Sequence, residues 1–276
     1  MTRVRFLGRS TGGSLIHRVF PAWMALLRLD VTLEGVDLPA DAGAAAYREF
    51  VEDVRDDPEV LGAVITSHKL GVHAAARHLL TPADPYVDRL REVNAIAADG
   101  MTAHARDVIA VTAVLPAFGP VREALVLGAG GAGTAIVLAL LRQNVRIAVT
   151  DTRPERLAAL RGALGADAAR VTLAPATESD ARLAELGPGA LVVNATGLGK
   201  DASGSPVTGP FPPGAVVWDA NYRGTLEFLA AARAQGGLRV FDGWDYFVYG
   251  WAEALAPILG IPLDHAALAA AAVAVR

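Results

Sequence analysis

Between Ala124 and Asp151 the chain reads ALVLGAGGAGTAIVLALLRQNVRIAVTD. These residue types, in this order, suit the binding of a dinucleotide. Gly128, Gly130, Gly131 and Gly133, with Ala132 among them, let the backbone approach a pyrophosphate. A helix opening there offers unbonded N–H groups and a partial positive charge. Asp151 lies about twenty residues on, where an acid can accept hydrogen bonds from ribose hydroxyls and so favour NAD over its 2′-phosphorylated relative. A second chemistry is suggested by residue usage. Of the 25 Lys and Arg residues, only Lys69 and Lys200 are lysine, and lysine can give up a proton near neutral pH where guanidinium does not.

The glycine turn needs a strand before it and a helix after it. Ala124–Leu127 is an apolar run that predicts the strand, Ala132–Leu141 predicts an uncharged helix, and Val145–Thr150 predicts the next strand, with Asp151 at its end. Residues 124–141 carry no charge and nearly match the length of a membrane span. Glycines in the first third, then a polar turn and another strand, fit a buried βαβ unit better. Upstream, Val4–Leu7, Val31–Val36, Gly62–Thr66 and Glu92–Ala97 read as strands. Ser14–Leu27 (with a break at Pro21), Ala44–Asp56 and Lys69–Leu79 read as helices. A helix over Val108–Phe118 leads into the glycine-rich unit. That unit continues through Pro154–Leu164, Leu191–Asn194, Val216–Asp219, Thr225–Gln235 and Arg239–Phe241. Helices near Phe247–Leu259 and Asp264–Val275 close the chain, the second with Asp264 as N-cap.

The chain has 276 residues, 53% of them hydrophobic and 20% charged, with a formal charge of −4. This is ample core material for one large or two modest domains. The negative balance and the absence of a basic cluster argue against a nucleic-acid partner. No cysteine is present, which excludes disulfides and thiolate metal sites. His68, His73 and His78 are spaced by five and do not stack on one helical face, so no metal site is expected. The opening MTRVRFLGRST lacks a long apolar segment. The expectation is a cytoplasmic protein with a small-molecule substrate, no membrane association, and a monomeric or homodimeric state.

Seven further segments stand along the chain: TGGSLIH (11–17), AVITSHK (63–69), EVNAI (92–96), ARD (105–107), VVNATGLGK (192–200), WDANYRGT (218–225) and FDGWDYFVYGWAEAL (241–255). Together with GAGGAG at 128–133, they resemble in order the motifs of the shikimate/quinate dehydrogenase family. The resemblance implies an α/β fold: an N-terminal α/β catalytic domain, a Rossmann-type NAD(P)-binding domain, and C-terminal helices returning to the first domain. It places the substrate-binding and catalytic domain at 1–107 and 246–276 and the dinucleotide domain at 108–245.

The family's N-V-T-x-P-x-K segment is similar to AVITSHK, which implies a catalytic role for Lys69. Its A-x-N-T strand end is similar to EVNAI and implies Asn94 as a substrate ligand. Its N-T-D is similar to ARD and implies Asp107 as the partner of Lys69. A lysine paired with a carboxylate can take or relay the proton of a secondary alcohol as hydride leaves. In the nucleotide half, N-A-T-x-x-G-M is similar to VVNATGLGK, implying Asn194, Ala195 and Thr196 near the nicotinamide, with Lys200 at the methionine position. NADP-dependent members carry N-R-T where this chain has Asp151, Thr152 and Arg153, so NAD is the expected cofactor and NADP the alternative. The resemblance further implies Tyr222 by the substrate and Gly243 near the nicotinamide amide. Tyr249 stands beside Gly250, which falls at the substrate-binding glutamine position. The S-x-S-P-x-x-H loop that holds the substrate carboxylate is TGGSLIH here. It keeps Thr11, has Ser14 at the proline position and loses a hydroxyl at Gly13.

The expected reaction is reversible hydride transfer between NAD(P) and a ring hydroxyl or ketone of a shikimate- or quinate-like cyclic polyol acid. The alternatives are the same scaffold acting on another cyclitol or an aminocyclitol, and an NAD-binding regulatory protein without turnover. GRSTG at 8–12 also matches a GxSxG nucleophile elbow, a pattern easily met by chance in a glycine-rich chain.

Overall fold

The computed structural model describes residues 2–200 and 202–274. The chain divides into two compact units, one comprising Met1–Asp107 with Val248–Arg276, the other Val108–Phe247.

The first unit opens with β1 (Thr2–Gly8), α1 (Ile16–Leu27), β2 (Val31–Asp37), α2 (Ala44–Asp56), β3 (Val60–Ile65) and α3 (Lys69–Ala76). It continues with β4 (Thr81–Pro82), α4 (Tyr86–Leu90), β5 (Ala95–Ala97) and β6 (Thr102–His104), and α5 (Asp107–Val114) begins at its boundary. The sheet order is β2-β1-β3-β5-β6-β4. The β1, β2 and β3 strands are mutually parallel, while β5 runs antiparallel to both β3 and β6. This reversal matters for the site. The C-terminal end of β3, the N-terminal end of β5 and the C-terminal end of β6 all meet at one sheet edge. The backbone ties them there: Ile65 N–H donates to Asn94 O, Asn94 N–H to His104 O, and Val93 N–H to Lys69 O.

Two expectations about this unit need correction. Pro21 does not break α1, which runs unbroken to Leu27. A proline inside a helix costs about 3 kcal/mol, and here Ile16, Val19, Phe20, Trp23 and Met24 are all buried along one face and hold the helix together. The strand expected over 92–97 is only Ala95–Ala97, because the N–H groups of Glu92, Val93 and Asn94 bond to Val87, Lys69 and His104 instead of extending the β3 ladder.

In the second unit come β7 (Glu123–Leu127), α6 (Gly131–Leu141), β8 (Arg146–Asp151), α7 (Pro154–Leu164), β9 (Val171–Pro175), α8 (Ser179–Ala184) and β10 (Leu191–Asn194). After these come β11 (Val216–Asp219), α9 (Glu227–Gln235), β12 (Arg239–Phe241) and α10 (Trp244–Leu259), which crosses the unit boundary. All six strands are parallel in the order β12-β11-β10-β7-β8-β9. Read from the other edge, this is the Rossmann order, in which the strand succession reverses between the first and fourth strands and leaves a crevice at their carboxyl ends. Those strands are β7 and β10. Residues Ala135–Leu141 of α6 are all buried, as expected of a helix apolar on every side. No helix among the described residues is long and apolar enough to cross a membrane.

The last helix, α11 (His265–Val273), returns to the first unit, where Trp23 Nε1 donates to Leu268 O at 2.9 Å. Asp264 caps it by accepting from the N–H groups of Ala266 and Ala267. The expected end of this helix at Val275 lies outside the described residues.

Candidate active site and dinucleotide site

Lys69 is the first residue of α3, just beyond the carboxyl end of β3. Its placement rests on His68. The buried His68 ring faces two carbonyls through Nε2, Gly8 O at 3.2 Å and Leu38 O at 3.0 Å. Carbonyls only accept, so Nε2 carries the proton, and Nδ1 accepts from the Tyr47 hydroxyl at 2.9 Å. One imidazole thereby ties β1, α2 and the segment after β2 to the turn that presents Lys69.

Lys69 Nζ donates to Asp107 Oδ2, and Asn94 Nδ2 donates to Asp107 Oδ1 at 2.7 Å. Asn94 Oδ1 accepts the backbone N–H of Arg106 at 2.9 Å. Asn94 therefore fixes both the Asp107 carboxylate and the backbone just before it. The structure brings Lys69, Asn94 and Asp107 together although 38 residues separate the lysine from the aspartate. Burial works to lower the Lys69 pKa, but the charges of Asp107 and Glu92, with the Asp107 hydrogen bond, outweigh it and hold the ammonium above its ordinary value. Glu92 is a neighbour that motif reading passed over. It is 3% exposed, and burial pushes its carboxyl up to about 7.

The remaining residues expected at the substrate fall in different places. Thr11 is buried, and its N–H donates to Asp37 Oδ1 at 2.7 Å. Its hydroxyl lies so close over Gly35 that a Cβ there would stand 2.4 Å from it. Ser14 is half-buried at the end of the Thr11–Gly13 turn, where its N–H donates to Thr11 O. Ser10 Oγ donates to its neighbour Arg9 O, and Thr11–Gly13 forms a single 3-10 turn, so GRSTG does not build a strand–turn–helix elbow. In the first unit Tyr249 stacks on His265, with ring centroids 4.6 Å apart. Tyr222 belongs to the second unit, where its ring packs against Trp244 and Phe247.

The glycine turn follows β7 directly. Gly128 has φ +106°, and a Cβ there would stand 2.7 Å from Ala195 O. At Gly133 a Cβ would stand 1.9 Å from Gly128 O, so only glycine lets α6 pack this close to the turn. Gly130 is different: an added Cβ would meet nothing nearer than Arg156 Nη1 at 3.9 Å. That open space at the mouth of an eleven-residue helix, with Gly131 exposed on its first turn, is what a pyrophosphate requires. The residues present fit a dinucleotide.

Asp151 ends β8 and is 5% exposed. Its Oδ2 accepts from Ala129 N–H at 2.7 Å and its Oδ1 from Arg153 N–H at 2.8 Å. The acid thus holds the glycine turn and the 151–153 turn together. Thr152 and Arg153 are exposed beside it, and Arg156 Nη1 stands 3.7 Å from its carboxylate.

Asn194 is fully buried and its side chain is committed within the protein. Nδ2 donates to Asp219 Oδ2 at 2.8 Å and to Leu198 O at 3.1 Å. Oδ1 accepts from Thr196 N–H and Thr196 Oγ1. Ala195 N–H donates to Leu127 O at 2.7 Å. Asn194 and Thr196 accordingly brace the loop after β10 beside the glycine turn. Asp219, the buried partner of Asn194, whose pKa is raised by burial, was not singled out by its motif. Gly243 packs against the 220–221 backbone, where a Cβ would stand 2.1 Å from Ala220 O.

No family model matches the chain. It is 38% identical over 155 residues to the shikimate dehydrogenase (NADP(+)) of Rubrobacter xylanophilus, covering 53% of this chain and 52% of that protein. Over that region the chain is similar to the shikimate dehydrogenases. It is also 38% identical over 150 residues to the enzyme of the same name from Xanthomonas euvesicatoria pv. vesicatoria, covering 52% of this chain and 50% of that one. The matched region thus spans about half the length of the curated relatives. Across the whole chain, shikimate 5-dehydrogenase from Thermus thermophilus, solved in complex with shikimate, superposes with a TM-score of 0.75 at 27% identity, covering 99% of this chain and 98% of that one. Quinate dehydrogenase from Corynebacterium glutamicum, solved in complex with NAD, shares the fold with a TM-score of 0.82 at 21% identity and 99% coverage of both chains. The two-domain α/β architecture with its Rossmann-type unit is common to all of these structures.

Proposed function

We propose that this protein is an NAD(P)-dependent dehydrogenase that transfers a hydride between the nicotinamide and a ring hydroxyl or ketone of a shikimate- or quinate-like cyclic polyol acid. The observation that carries this reading is the junction of Lys69, Asp107 and Asn94 at one sheet edge. Oxidising a secondary alcohol removes a hydride and a proton. The bound dinucleotide supplies the hydride acceptor. Lys69, held as the ammonium, donates a proton from Nζ to the carbonyl oxygen in the reducing direction; in the oxidising direction it receives the hydroxyl proton at Nζ only after releasing its own. Asp107 balances the ammonium and orients it, and Asn94 keeps Asp107 from rotating away. Such positioned proton transfer contributes roughly 10²–10⁴ in rate.

The glycine turn and the start of α6 receive the pyrophosphate. The Asp151 carboxylate at the end of β8 favours NAD, since it would face the negative charge of a 2′-phosphate. Arg153 and Arg156 beside it offset part of that repulsion, so the preference is modest, and the curated relatives are named for NADP(+). The loop that the resemblance assigns to the substrate carboxylate is sparse here, with Thr11 turned onto Gly35 and Gly12 and Gly13 bearing no side chain.

The test is absorbance at the reduced-nicotinamide band with purified protein, NAD or NADP, and shikimate or quinate. Turnover with either acid supports the reading. Dinucleotide binding without turnover on any ring polyol overturns it in favour of a binding protein.

A further inference from the structure

Glu92 is a buried carboxylate with no evident structural use. It is 3% exposed, and its Oε1 has no hydrogen-bond partner. An acid in that state costs stability unless something else requires it. The backbone sets where it lies. Val93 N–H bonds to Lys69 O, and Val93 packs into the core of the first unit. Glu92 therefore sits one residue from a backbone bond to Lys69 and two residues from Asn94, the asparagine that holds Asp107.

The charged groups that act on Glu92 come from three elements: Lys69 on α3, Asp107 at the start of α5, and Asp84 before α4. Asp84 itself accepts from the backbone N–H groups of Tyr86 and Ala105 and stands 3.8 Å from His104 on β6. Lys69 is thus the cation among three acids. Asp107 holds it by a hydrogen bond, while Glu92 acts on it through charge alone.

We propose that Glu92 is a positioning residue for the proton-handling pair, setting through its own ionisation how tightly Lys69 keeps its proton. The proposal rests on the dehydrogenase reading for its consequence, but not for its test. When Glu92 is ionised the ammonium is favoured, which suits proton donation to a ketone. When Glu92 takes up a proton, one anion is removed from beside Lys69 and the hold on the lysine proton weakens. Only a proton moves, and no oxidant or reductant is involved. Burial pushes the Glu92 carboxyl up to about 7, so the change falls near neutral pH.

The chain offers a direct readout because it has only two lysines, Lys69 and Lys200. Protein labelled with ¹³Cε-lysine gives two side-chain resonances, assigned with Lys200→Arg. The Lys69 resonance should show a step near neutral pH, well below its own titration. In Glu92→Gln that step disappears and the Lys69 titration moves down by about one unit or more, the size of one close charge. Glu92→Ala gives the same result if the amide is poorly accommodated. A near-neutral step that persists in the folded Glu92 variants overturns the proposal. His104, whose burial lowers its pKa, would be its source, and His104→Asn identifies it.

The two readings fail separately. If wild-type protein turns over no ring polyol while the Lys69 step depends on Glu92, the activity is wrong and the coupling stands. If turnover is present, Glu92→Gln should shift the alkaline rise of alcohol oxidation to lower pH. An unchanged pH profile overturns the positioning role and leaves the dehydrogenase intact.

Discussion

The dinucleotide turn and the Lys69 cluster are built in opposite ways. The turn is continuous in sequence, running from Gly128 to Gly133, and its working parts are backbone N–H groups and the absence of side chains. The Lys69 cluster joins the starts of α3 and α5 with the residue before β5, and its working parts are three side chains. A backbone site tolerates side-chain change until a Cβ collides with it. A side-chain site loses its chemistry with a single atom group but leaves the fold standing. Perturbing each in turn should therefore separate activity from binding.

The largest effect is expected at Lys69. Lys69→Met should lower turnover by about 10²–10⁴ while leaving dinucleotide affinity, measured by calorimetry, unchanged. Equal loss of both would mean that the two regions do not divide the work. Gly133→Ala attacks the other side. Its Cβ would stand 1.9 Å from Gly128 O, so α6 must move away from the turn. Overpacking of this kind costs about 3 kcal/mol, and it should appear as a lower Tm together with lost dinucleotide binding.

A third prediction concerns stability against pH. The Glu92 carboxyl rises from 4.5 unfolded to about 7 folded, so the folded state binds more protons between those values. Stability contributed by this group is present at low pH and is lost as pH rises through neutrality. Glu92→Gln removes the loss. Its stability relative to wild type should therefore grow by about 3 kcal/mol between pH 4.5 and about pH 8, read by urea unfolding at each pH. A flat difference would show that Glu92 ionises without penalty.

The smallest effect is at Asp151. Asp151→Asn keeps one acceptor oxygen, enough for either the Ala129 or the Arg153 N–H group, and removes the charge. The ratio of kcat/KM for NAD to that for NADP should fall about tenfold, or about 1.4 kcal/mol. An unchanged ratio would assign cofactor choice to Arg153 and Arg156.

The same contrast explains what was legible before the structure. The βαβ unit was readable because strand, glycines, helix and acid are neighbours, and local order is what periodicity reports. Lys69, Asn94 and Asp107 could be grouped only through their resemblance to a family, since nothing local links residues 69, 94 and 107. Pro21 and the shortened β5 were misread because burial along α1 and the hydrogen bonds of residues 92–94 override local preference. Asn94 and Asn194 were expected beside ligands, and each also holds a buried aspartate, Asp107 and Asp219 respectively. A motif records that an amide is present, whereas its partners depend on which strands lie side by side. Glu92 stood within a quoted motif and drew no notice, because a charged residue in sequence carries no mark of its burial.

By itself the sequence determined the α/β alternation, the glycine turn and its acid, the rarity of lysine, and the capped final helix, all set by contacts within a few residues. Only the tertiary structure decided that a reversed β5 brings residue 94 to the carboxyl end of β3, that His68 fixes the turn bearing Lys69, and that Glu92 is buried with an unbonded carboxylate oxygen. Those outcomes depend on register between distant strands and on exclusion of water, and neither is written in the order of neighbouring residues.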